Sequence, residues 1–305
     1  MYRAYYGLSR NAFEISPDPS FFFPTPRHNE ALANMAYGIQ RRKGLIVMTG
    51  EPGTGKTLLI RCLLDVLEKL RIACARVFNT RLSSSELFQC LLRDLSISAQ
   101  SSSKADILSH LEEYLAARQR TGSTTVLIVD EGQLLSSVVL EELRLMGNLE
   151  TAQEKLLQIV LVGQPELDAK LDSPPLRQLQ QRIALRCQLH PLTREELERY
   201  IRRRLEVAGC AGASLFSDPA LDELYAYSRG IPRLINVLCE NCLICASTME
   251  HSCVTPEIVQ ETAADFHLSL APASVRPAPT SVTRVPTPWV QKEPSRAQGP
   301  TPLFR

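Results

Sequence analysis

A glycine-rich stretch at residues 50–57 has the composition and spacing of a phosphate-binding loop. It reads Gly-Glu-Pro-Gly-Thr-Gly-Lys-Thr, follows an apolar run and precedes a helical pattern. Glycines let successive backbone N–H groups turn toward one anion, and the N-terminus of the next helix adds the positive end of its dipole. Lys56 would neutralise phosphate oxygens of ATP, and the Thr57 hydroxyl would ligate Mg²⁺. The predicted ATP-binding residues are Gly50, Glu51, Pro52, Gly53, Thr54, Gly55, Lys56, Thr57 and Leu58.

Two acids follow the β-branched run at residues 125–129. Asp130 would hold Mg²⁺ through its water shell, and Glu131 would polarise the attacking water. A surface turn could also carry two acids, but their distance downstream of a phosphate-binding loop favours catalysis. We therefore predict Lys56, Asp130 and Glu131 as catalytic residues, and Thr57 and Asp130 as the Mg²⁺ ligands.

Composition narrows the class of protein. The chain has 305 residues, 44% of them hydrophobic, which is enough for two folded units and a tail. The net charge of +1 gives no global electrostatic case for nucleic-acid or membrane binding. No apolar run reaches the roughly 18–20 residues that span a bilayer, and the first residues lack the apolar region of a signal peptide. We expect a cytoplasmic protein.

The cysteines are nine in number and scattered, which suits a reducing compartment rather than a disulfide framework. Cys239, Cys242 and Cys245 have the spacing C-x2-C-x2-C of some iron–sulfur proteins. They lie in a helical pattern, where cysteine acts as a small hydrophobic residue. We expect them to pack in a core.

Strand and helix patterns alternate between residues 44 and 189, which predicts a parallel sheet covered on both faces. Ligands of such sheets bind at the carboxyl ends of the strands, where the glycine-rich loop and the acid pair fall. We predict the fold class α/β, with a P-loop NTPase sheet and a C-terminal all-helical domain. The predicted strands are 45–48, 73–78, 125–129, 157–162 and 183–189, and the predicted helices lie near 56–70, 84–95, 104–118, 136–151 and 175–182.

The chain divides into four parts on these patterns. Residues 1–43 are an N-terminal linker segment and helix, 44–190 an ATPase core, 191–267 a helical lid, and 268–305 a proline-rich disordered tail that could dock a partner. The N-terminal segment could pad the core, or it could cover the adenine base. Candidate adenine contacts, chosen by position alone, are Phe13, Pro17 and Ile39.

Several short motifs recur in the order found in AAA+ ATPases, and more narrowly the chain resembles the ExeA-like (general secretion pathway protein A) family. The resemblance covers roughly residues 1–267. The motifs that carry it are Tyr6-Gly7-Leu8, Asn11, Phe13, Ser16-Pro17-Asp18-Pro19, His28, Glu30-Ala31-Leu32, Tyr37-Gly38-Ile39, Gly50 to Thr57, Asp130-Glu131-Gly132-Gln133, Gly163-Gln164-Pro165-Glu166-Leu167, Gln181-Arg182-Ile183 and Gly230 to Asn236.

The resemblance implies two sensors of the γ-phosphate. Gln164, at the end of the fourth strand, would read the phosphate or hold the attacking water. Arg233 would reach the γ-phosphate from the lid, with Arg229 as a possible substitute. Either side chain could instead face solvent.

The resemblance also implies an arginine finger, a guanidinium that stabilises transition-state charge on the nucleotide of a neighbouring subunit. Arg182 is the chosen residue, and Arg177 and Arg186 compete for the role. Activity would then require a homo-oligomer, such as a hexameric ring.

The leading functional hypothesis is a Mg·ATP-hydrolysing motor or switch in the assembly of a secretion or type IV pilus apparatus, associated with the inner membrane through a partner protein. Longer relatives continue into a membrane-spanning segment and a peptidoglycan-binding region. Because this chain stops at Arg305, we do not expect direct cell-wall contact.

The alternative is an ATP-dependent DNA-binding regulator of transposition or replication. Its support is the basic stretch at residues 199–204, whose arginines could instead pair with neighbouring glutamates on a solvated helix. A third hypothesis, a nucleotide-binding scaffold without turnover, is disfavoured by the intact Glu131. A P-loop kinase is disfavoured by the helical lid.

Overall fold

A five-stranded parallel sheet forms the centre of the computed structural model, which describes residues 2–16, 18–78, 81–98, 103–210 and 214–270. The strands lie in the order β2-β3-β4-β1-β5. Strands β1, β3 and β4 are buried along their whole length, as is typical of parallel strands covered on both faces. All five lie where the sequence predicts them. They are β1 (Leu45–Gly50), β2 (Ala73–Val77), β3 (Thr125–Val129), β4 (Leu157–Gly163) and β5 (Ile183–Leu189).

The register of the sheet aligns the carboxyl ends of β3, β4 and β1. Val129 of β3 pairs with Leu161 of β4, and Thr49 of β1 pairs with Gly163. Because all strands run in one direction, the segments that follow them meet at one edge of the sheet. We call this edge the carboxyl edge.

Helices pack on both faces of the sheet. Helices α2 and α3 cover one face with residues such as Met35 and Ile60, and α4, α5 and α6 cover the other with residues such as Phe88 and Leu111. The helices up to residue 180 are α1 (Tyr2–Tyr5), α2 (Pro26–Gln40), α3 (Lys56–Lys69), α4 (Ser84–Asp94), α5 (Lys104–Arg120), α6 (Ser137–Met146), α7 (Pro165–Leu171) and α8 (Arg177–Gln180).

Several elements differ from the sequence-based expectation, among them the unpredicted short helix α1. Helix α6 ends at Met146 rather than near residue 151, because Gly147 caps it. Helix α7 was not predicted, since seven residues give too few turns for a clear helical period. The helix expected at 175–182 is a 3-10 turn at Pro174–Leu176 followed by the single turn α8.

Four further helices form the C-terminal helical lid. Thr193 opens the first with a capping box to Glu196, and the Ser217 side chain caps the second. The lid helices are α9 (Arg194–Val207), α10 (Asp218–Ser228), α11 (Pro232–Thr248) and α12 (Pro256–Asp265).

The N-terminal segment packs into the lid. Tyr2, Leu8 and Phe13 belong to the same buried cluster as the lid helices, and the Tyr2 hydroxyl donates a hydrogen bond of 2.7 Å to Glu240. These three residues therefore pad a hydrophobic core, that of the lid, which is one of the two roles expected of the segment. Phe13 is 1% exposed, and Ile39, which packs between α2 and the sheet, is 0% exposed. Contact of either residue with adenine stays a prediction. Pro17 lies outside the described residues.

A buried arginine fixes this packing. Arg204 of α9 donates from Nε to the Ala12 carbonyl (2.5 Å), from Nη2 to the Glu14 carbonyl (3.0 Å) and from Nη1 to the Tyr200 hydroxyl (2.8 Å). The Tyr200 hydroxyl in turn donates to Asn236 Oδ1 at 2.8 Å. A buried cation that donates a hydrogen bond from each of its three nitrogens in this way ties the lid to the N-terminal segment.

The cysteines of the C-x2-C-x2-C pattern lie in helix α11. Cys239 and Cys242 are fully buried in the lid core and Cys245 packs against it, which confirms their role as small hydrophobic residues. Burial raises the pKa of the Cys242 thiol to about 11. Leu268, at the start of the proline-rich tail, packs against the lid cluster, and the tail from residue 271 onward lies outside the described residues. Within the described ranges no helix is long and apolar enough to cross a bilayer.

Candidate active site

The loop after β1 has the backbone of a phosphate cradle. Gly53 and Gly55 adopt left-handed conformations with φ of 83° and 101°, which residues with a side chain rarely adopt. Gly50 lies so close to β5 that a Cβ there would come within 2.9 Å of the Leu189 carbonyl. Lys56 is the first residue of helix α3, which has 14 residues, so the loop ends at the N-terminus of a long helix.

Lys56 is a buried cation whose hydrogen-bond partners are backbone carbonyls. Its Nζ donates to the carbonyl of Gly50 at 2.7 Å and of Glu51 at 3.0 Å, and the residue is 7% exposed. Burial lowers the pKa of Lys56, and the nearby Glu131 and Asp130 oppose that shift. A buried ammonium group held by neutral oxygens is well suited to receive an anion such as a phosphate.

Asp130 supplies the buried carboxylate of the site. Its Oδ1 accepts the Glu131 backbone N–H at 2.9 Å, and the neighbouring Thr57 side chain favours the charged form of its carboxyl group. Burial raises the pKa of Asp130, because the charged form loses hydration. A carboxylate and a hydroxyl brought together in a low-dielectric site suit a small divalent cation, so these two residues could hold Mg²⁺.

The position of the Glu131 carboxylate is set by the backbone conformation of the residue and by two side-chain amides. Its φ of 53° and ψ of 39° lie in the left-handed region. Its Oε2 accepts hydrogen bonds from Gln133 Nε2 at 2.6 Å and from Gln164 Nε2 at 3.2 Å. The acid after β3 and the glutamine after β4 therefore meet, as the alignment of the strand ends requires.

The lid contacts the loop at the start of helix α11. The backbone N–H of Arg233, in the first turn of α11, donates to the Gly53 carbonyl at 3.2 Å. A Cβ on Gly53 would lie 2.8 Å from the Arg233 Cβ and 3.0 Å from Ile231 Cγ2. The Arg233 side chain is exposed beside the loop, whereas Arg229 ends α10 with a φ of 53° and forms no contact with the loop in the described hydrogen bonds.

The comparisons with known proteins agree with this geometry. A family profile described as an AAA domain matches residues 39–171. General secretion pathway protein A from Aeromonas hydrophila is 43% identical over 247 residues, which are 81% of this chain and 45% of that protein. The chain belongs to the ExeA-like family of AAA proteins. It spans about half the length of this curated relative.

Solved structures share the fold of this ExeA-like chain. Cdc6p from Pyrobaculum aerophilum has a TM-score of 0.62 at 17% identity, covering 83% of this chain and 70% of its own. The Drosophila ORC structure bound to DNA has a TM-score of 0.61 at 20% identity, covering 86% of this chain and 67% of its own. At such identities the likeness concerns the fold alone, and it confirms the α/β AAA+ class. This fold implies nucleotide binding.

Of the candidate finger arginines of the ExeA-like chain, the chosen one, Arg182, lies away from its own loop. Arg182 precedes Ile183, which pairs with Leu45 at the start of β1, so it lies about 17–20 Å, one strand length, from the loop that follows β1. It is exposed and hydrogen-bonds Asn148. Arg186 pairs with Asp168 at 3.0 Å and with Asp172 at 3.3 Å. Arg177 is exposed in α8.

Sequence reasoning missed a contact between the N-terminal helix and the loop. His28 of α2 is 6% exposed, with Nδ1 2.6 Å from the Thr25 hydroxyl and Nε2 3.3 Å from the Thr54 carbonyl. A Thr25 hydroxyl that donates to Nδ1 leaves the proton on Nε2 to bond the loop. Burial lowers the pKa of His28, which favours this neutral ring. The sequence analysis named His28 only as one of the motif residues of the family resemblance, and the residue follows the Thr25 cap by one turn.

Proposed function

We propose that this chain hydrolyses Mg·ATP and acts as a motor or switch in the assembly of a secretion or type IV pilus apparatus. The observation that carries the hydrolysis step is Glu131, a carboxylate held by two amide donors beside the glycine-rich loop. A carboxylate fixed next to a nucleotide can accept a proton from an attacking water.

Nucleotide binding would begin with Lys56. Its Nζ would leave the carbonyls of Gly50 and Glu51 for the β- and γ-phosphate oxygens, exchanging neutral acceptors for charged ones. The backbone N–H groups of residues 50–58 would bind the remaining phosphate oxygens. Mg²⁺, held by Thr57 and Asp130, would neutralise charge on the β- and γ-phosphates.

The lid would report the state of the nucleotide. The backbone of Arg233 already bonds the Gly53 carbonyl, so its guanidinium needs only a side-chain rotation to approach a γ-phosphate on the loop. Gln164 would hold the attacking water or read the same phosphate. Loss of the γ-phosphate would release Arg233 and free the lid to move.

Oligomerisation would complete the site. Arg182 lies a strand length from the loop of its own chain, so we assign it to the nucleotide of a neighbour in a ring such as a hexamer. Mixing Arg182→Ala with Lys56→Ala subunits tests this, because each inactive variant supplies what the other lacks. Recovery of activity in the mixture is expected, and Arg177→Ala in place of Arg182→Ala serves as the control that stays active alone.

The assembly role rests on the relative's name and on the shared core. General secretion pathway protein A shares 43% identity over 247 residues, and we extend its secretion context to this chain. The partner would be an inner-membrane assembly protein, with the ATPase on the cytoplasmic side.

DNA binding is the weaker reading of the basic stretch. Arg202 pairs with Glu198 at 2.6 Å and Arg203 with Glu206 at 3.7 Å, and Arg204 is buried. Most of that positive charge is therefore neutralised or inaccessible.

Steady-state phosphate release with and without duplex DNA, at two salt concentrations, separates the two roles. The assembly role predicts a rate that DNA leaves unchanged, and Glu131→Gln provides the blank for contaminating activity. A several-fold stimulation by DNA that is larger at low salt would replace the assembly role with the DNA-regulator role.

A further inference from the structure

We propose that Gln133 is a positioning residue that holds the Glu131 carboxylate in register with Gln164, so that the water-activating acid and the polar end of β4 act as one unit. The proposal rests on the hydrolysis assigned to Glu131 above. Gln133 itself touches neither the loop nor the lid in the described hydrogen bonds.

Both ends of the Gln133 amide are used. Nε2 donates to Glu131 Oε2 at 2.6 Å, and Oε1 accepts the backbone N–H of Gln164 at 3.1 Å. Rotating the amide by 180° would set an oxygen against the carboxylate and an N–H₂ group against an N–H. Because both contacts would then be repulsive, the network fixes the orientation of the amide.

The backbone around Gln133 leaves this amide little freedom. The backbone carbonyl of Gln133 accepts a hydrogen bond from Lys170 Nζ at 3.0 Å, and Gln133 lies in the 3-10 turn Gly132–Leu134. On one side, a Cβ on Gly132 would come within 2.6 Å of Leu161 Cδ1. The turn is therefore pressed against β4.

The position before Gln164 must be a glycine for the amide to reach β4. A Cβ on Gly163 would lie 2.8 Å from Gln133 Oε1. The approach of the amide to the strand end thus depends on a missing side chain. This links the motif after β3 to the motif after β4 through one side chain.

Three properties follow for Glu131. Two amide donors converge on Oε2, and the backbone of Glu131 is held in the left-handed region. The two donor residues are also bonded to each other, because the Gln164 backbone N–H donates to Gln133 Oε1. Removing the Gln133 amide would take from the carboxylate the shorter of its two amide donors, at 2.6 Å against 3.2 Å for Gln164. The side chain would then sample positions away from the attacking water, and chemistry would slow without a change in nucleotide affinity.

Gln158 offers a matched control on the same strand. It also uses both ends of its amide, accepting from Gly44 N at 2.7 Å and donating to the Lys155 carbonyl at 3.0 Å. It lies at the opposite end of β4 from Gln164 and is 0% exposed. If Gln133 were only a structural glutamine, its substitution should have the same effects on stability and kcat as substitution of Gln158.

The experiment compares Gln133→Met, Gln133→Glu and Gln158→Met for kcat, for the affinity of an ATP analogue and for thermal stability. We expect both Gln133 variants to lower kcat by about 10- to 100-fold with analogue affinity within about twofold. Gln133→Glu keeps the side-chain volume but sets two carboxylates together, so it should lose more. Gln158→Met should lower stability and leave kcat of the folded protein unchanged.

A double-mutant cycle with Glu131→Gln completes the test. If Gln133 acts through Glu131, adding Gln133→Met to Glu131→Gln should lower the residual rate by less than about twofold. Wild-type kcat in both Gln133 variants, with Glu131→Gln inactive, would overturn the positioning role and leave the proposed hydrolysis intact. Full activity of Glu131→Gln would overturn both.

Discussion

Lys56 at the carboxyl edge of the sheet and Arg204 in the lid are both buried cations, at 7% and 5% exposure, but they are held differently. Arg204 donates to two carbonyls and one hydroxyl, and its guanidinium carbon lies 4.5 Å from the ring centroid of Phe21. Lys56 has two backbone carbonyls of its own loop as partners. A cation whose hydrogen bonds join distant segments has a structural role. A cation whose partners are carbonyls of its own loop can exchange them for the oxygens of a ligand.

The same contrast separates the polar groups of the two regions. At the carboxyl edge, Asp130 stays buried with a raised pKa, and burial is the largest cause. In the lid, the Tyr200 hydroxyl and Asn236 close a chain of hydrogen bonds that begins at Arg204. The buried charges at the carboxyl edge are thus placed to bind a ligand. The buried charge in the lid instead holds segments of the protein together.

The largest expected effect breaks the lid. Arg204→Met would leave the carbonyls of Ala12 and Glu14 without their donor and should lower the free energy of unfolding by about 3 kcal/mol. Chemical denaturation measures it. A loss below about 1 kcal/mol would mean that the buried guanidinium does not hold the N-terminal segment.

Lys56→Ala, at the carboxyl edge of the sheet, should weaken ATP binding without lowering stability. We expect ATP affinity to fall by about 100-fold, because a charge-assisted bond to phosphate is lost, with no decrease in stability. Titration with a fluorescent ATP analogue measures the first and denaturation the second. A marked loss of stability with normal affinity would assign Lys56 the structural role that we give to Arg204.

Asp130→Asn should stabilise the protein while it impairs activity. The raised pKa means that the folded protein holds this proton more tightly than the unfolded chain, so native stability falls as pH rises from the unfolded pKa through the folded one. At pH 7 the variant should gain about 1 kcal/mol in Mg²⁺-free buffer, a typical value for relieving a functional site. The gain should shrink as pH approaches 4. Denaturation curves at both pH values check this, and a destabilised variant at pH 7 would contradict it.

The smallest expected effect is at Arg202, which lies on the same helix as Arg204 but forms an exposed pair with Glu198. Arg202→Ala should change the free energy of unfolding by less than about 0.5 kcal/mol. This variant is the control for Arg204→Met. Equal losses in the two would show that burial does not distinguish them.

Local patterns explain what the sequence could predict. The spacing of Gly50 to Lys56 and the acid pair after a buried run are short-range signals, and the structure brings Thr57, Asp130, Glu131 and Gln164 to one edge. The strands were predicted because their β-branched runs are continuous. Whether these residues act as assigned is what the variants test.

Long-range contacts explain what the sequence could not predict. Arg204 lies among arginines and glutamates that predict a solvated helix face, and its burial depends on Ala12, 192 positions earlier. The role proposed for Gln133 depends on β4 lying beside β3. His28 gave no pattern that points to Thr54. Each of these contacts joins segments whose proximity only the fold determines.

The most direct test of the carboxyl edge as a hydrolytic site is a pair of measurements on Glu131→Gln. The substitution keeps the side-chain volume and removes the carboxylate that would activate water. We expect the variant to bind Mg·ATP with an affinity within about twofold of the wild type and to release phosphate at least about 100-fold more slowly. Phosphate release at the wild-type rate would contradict the assignment of this edge to ATP hydrolysis.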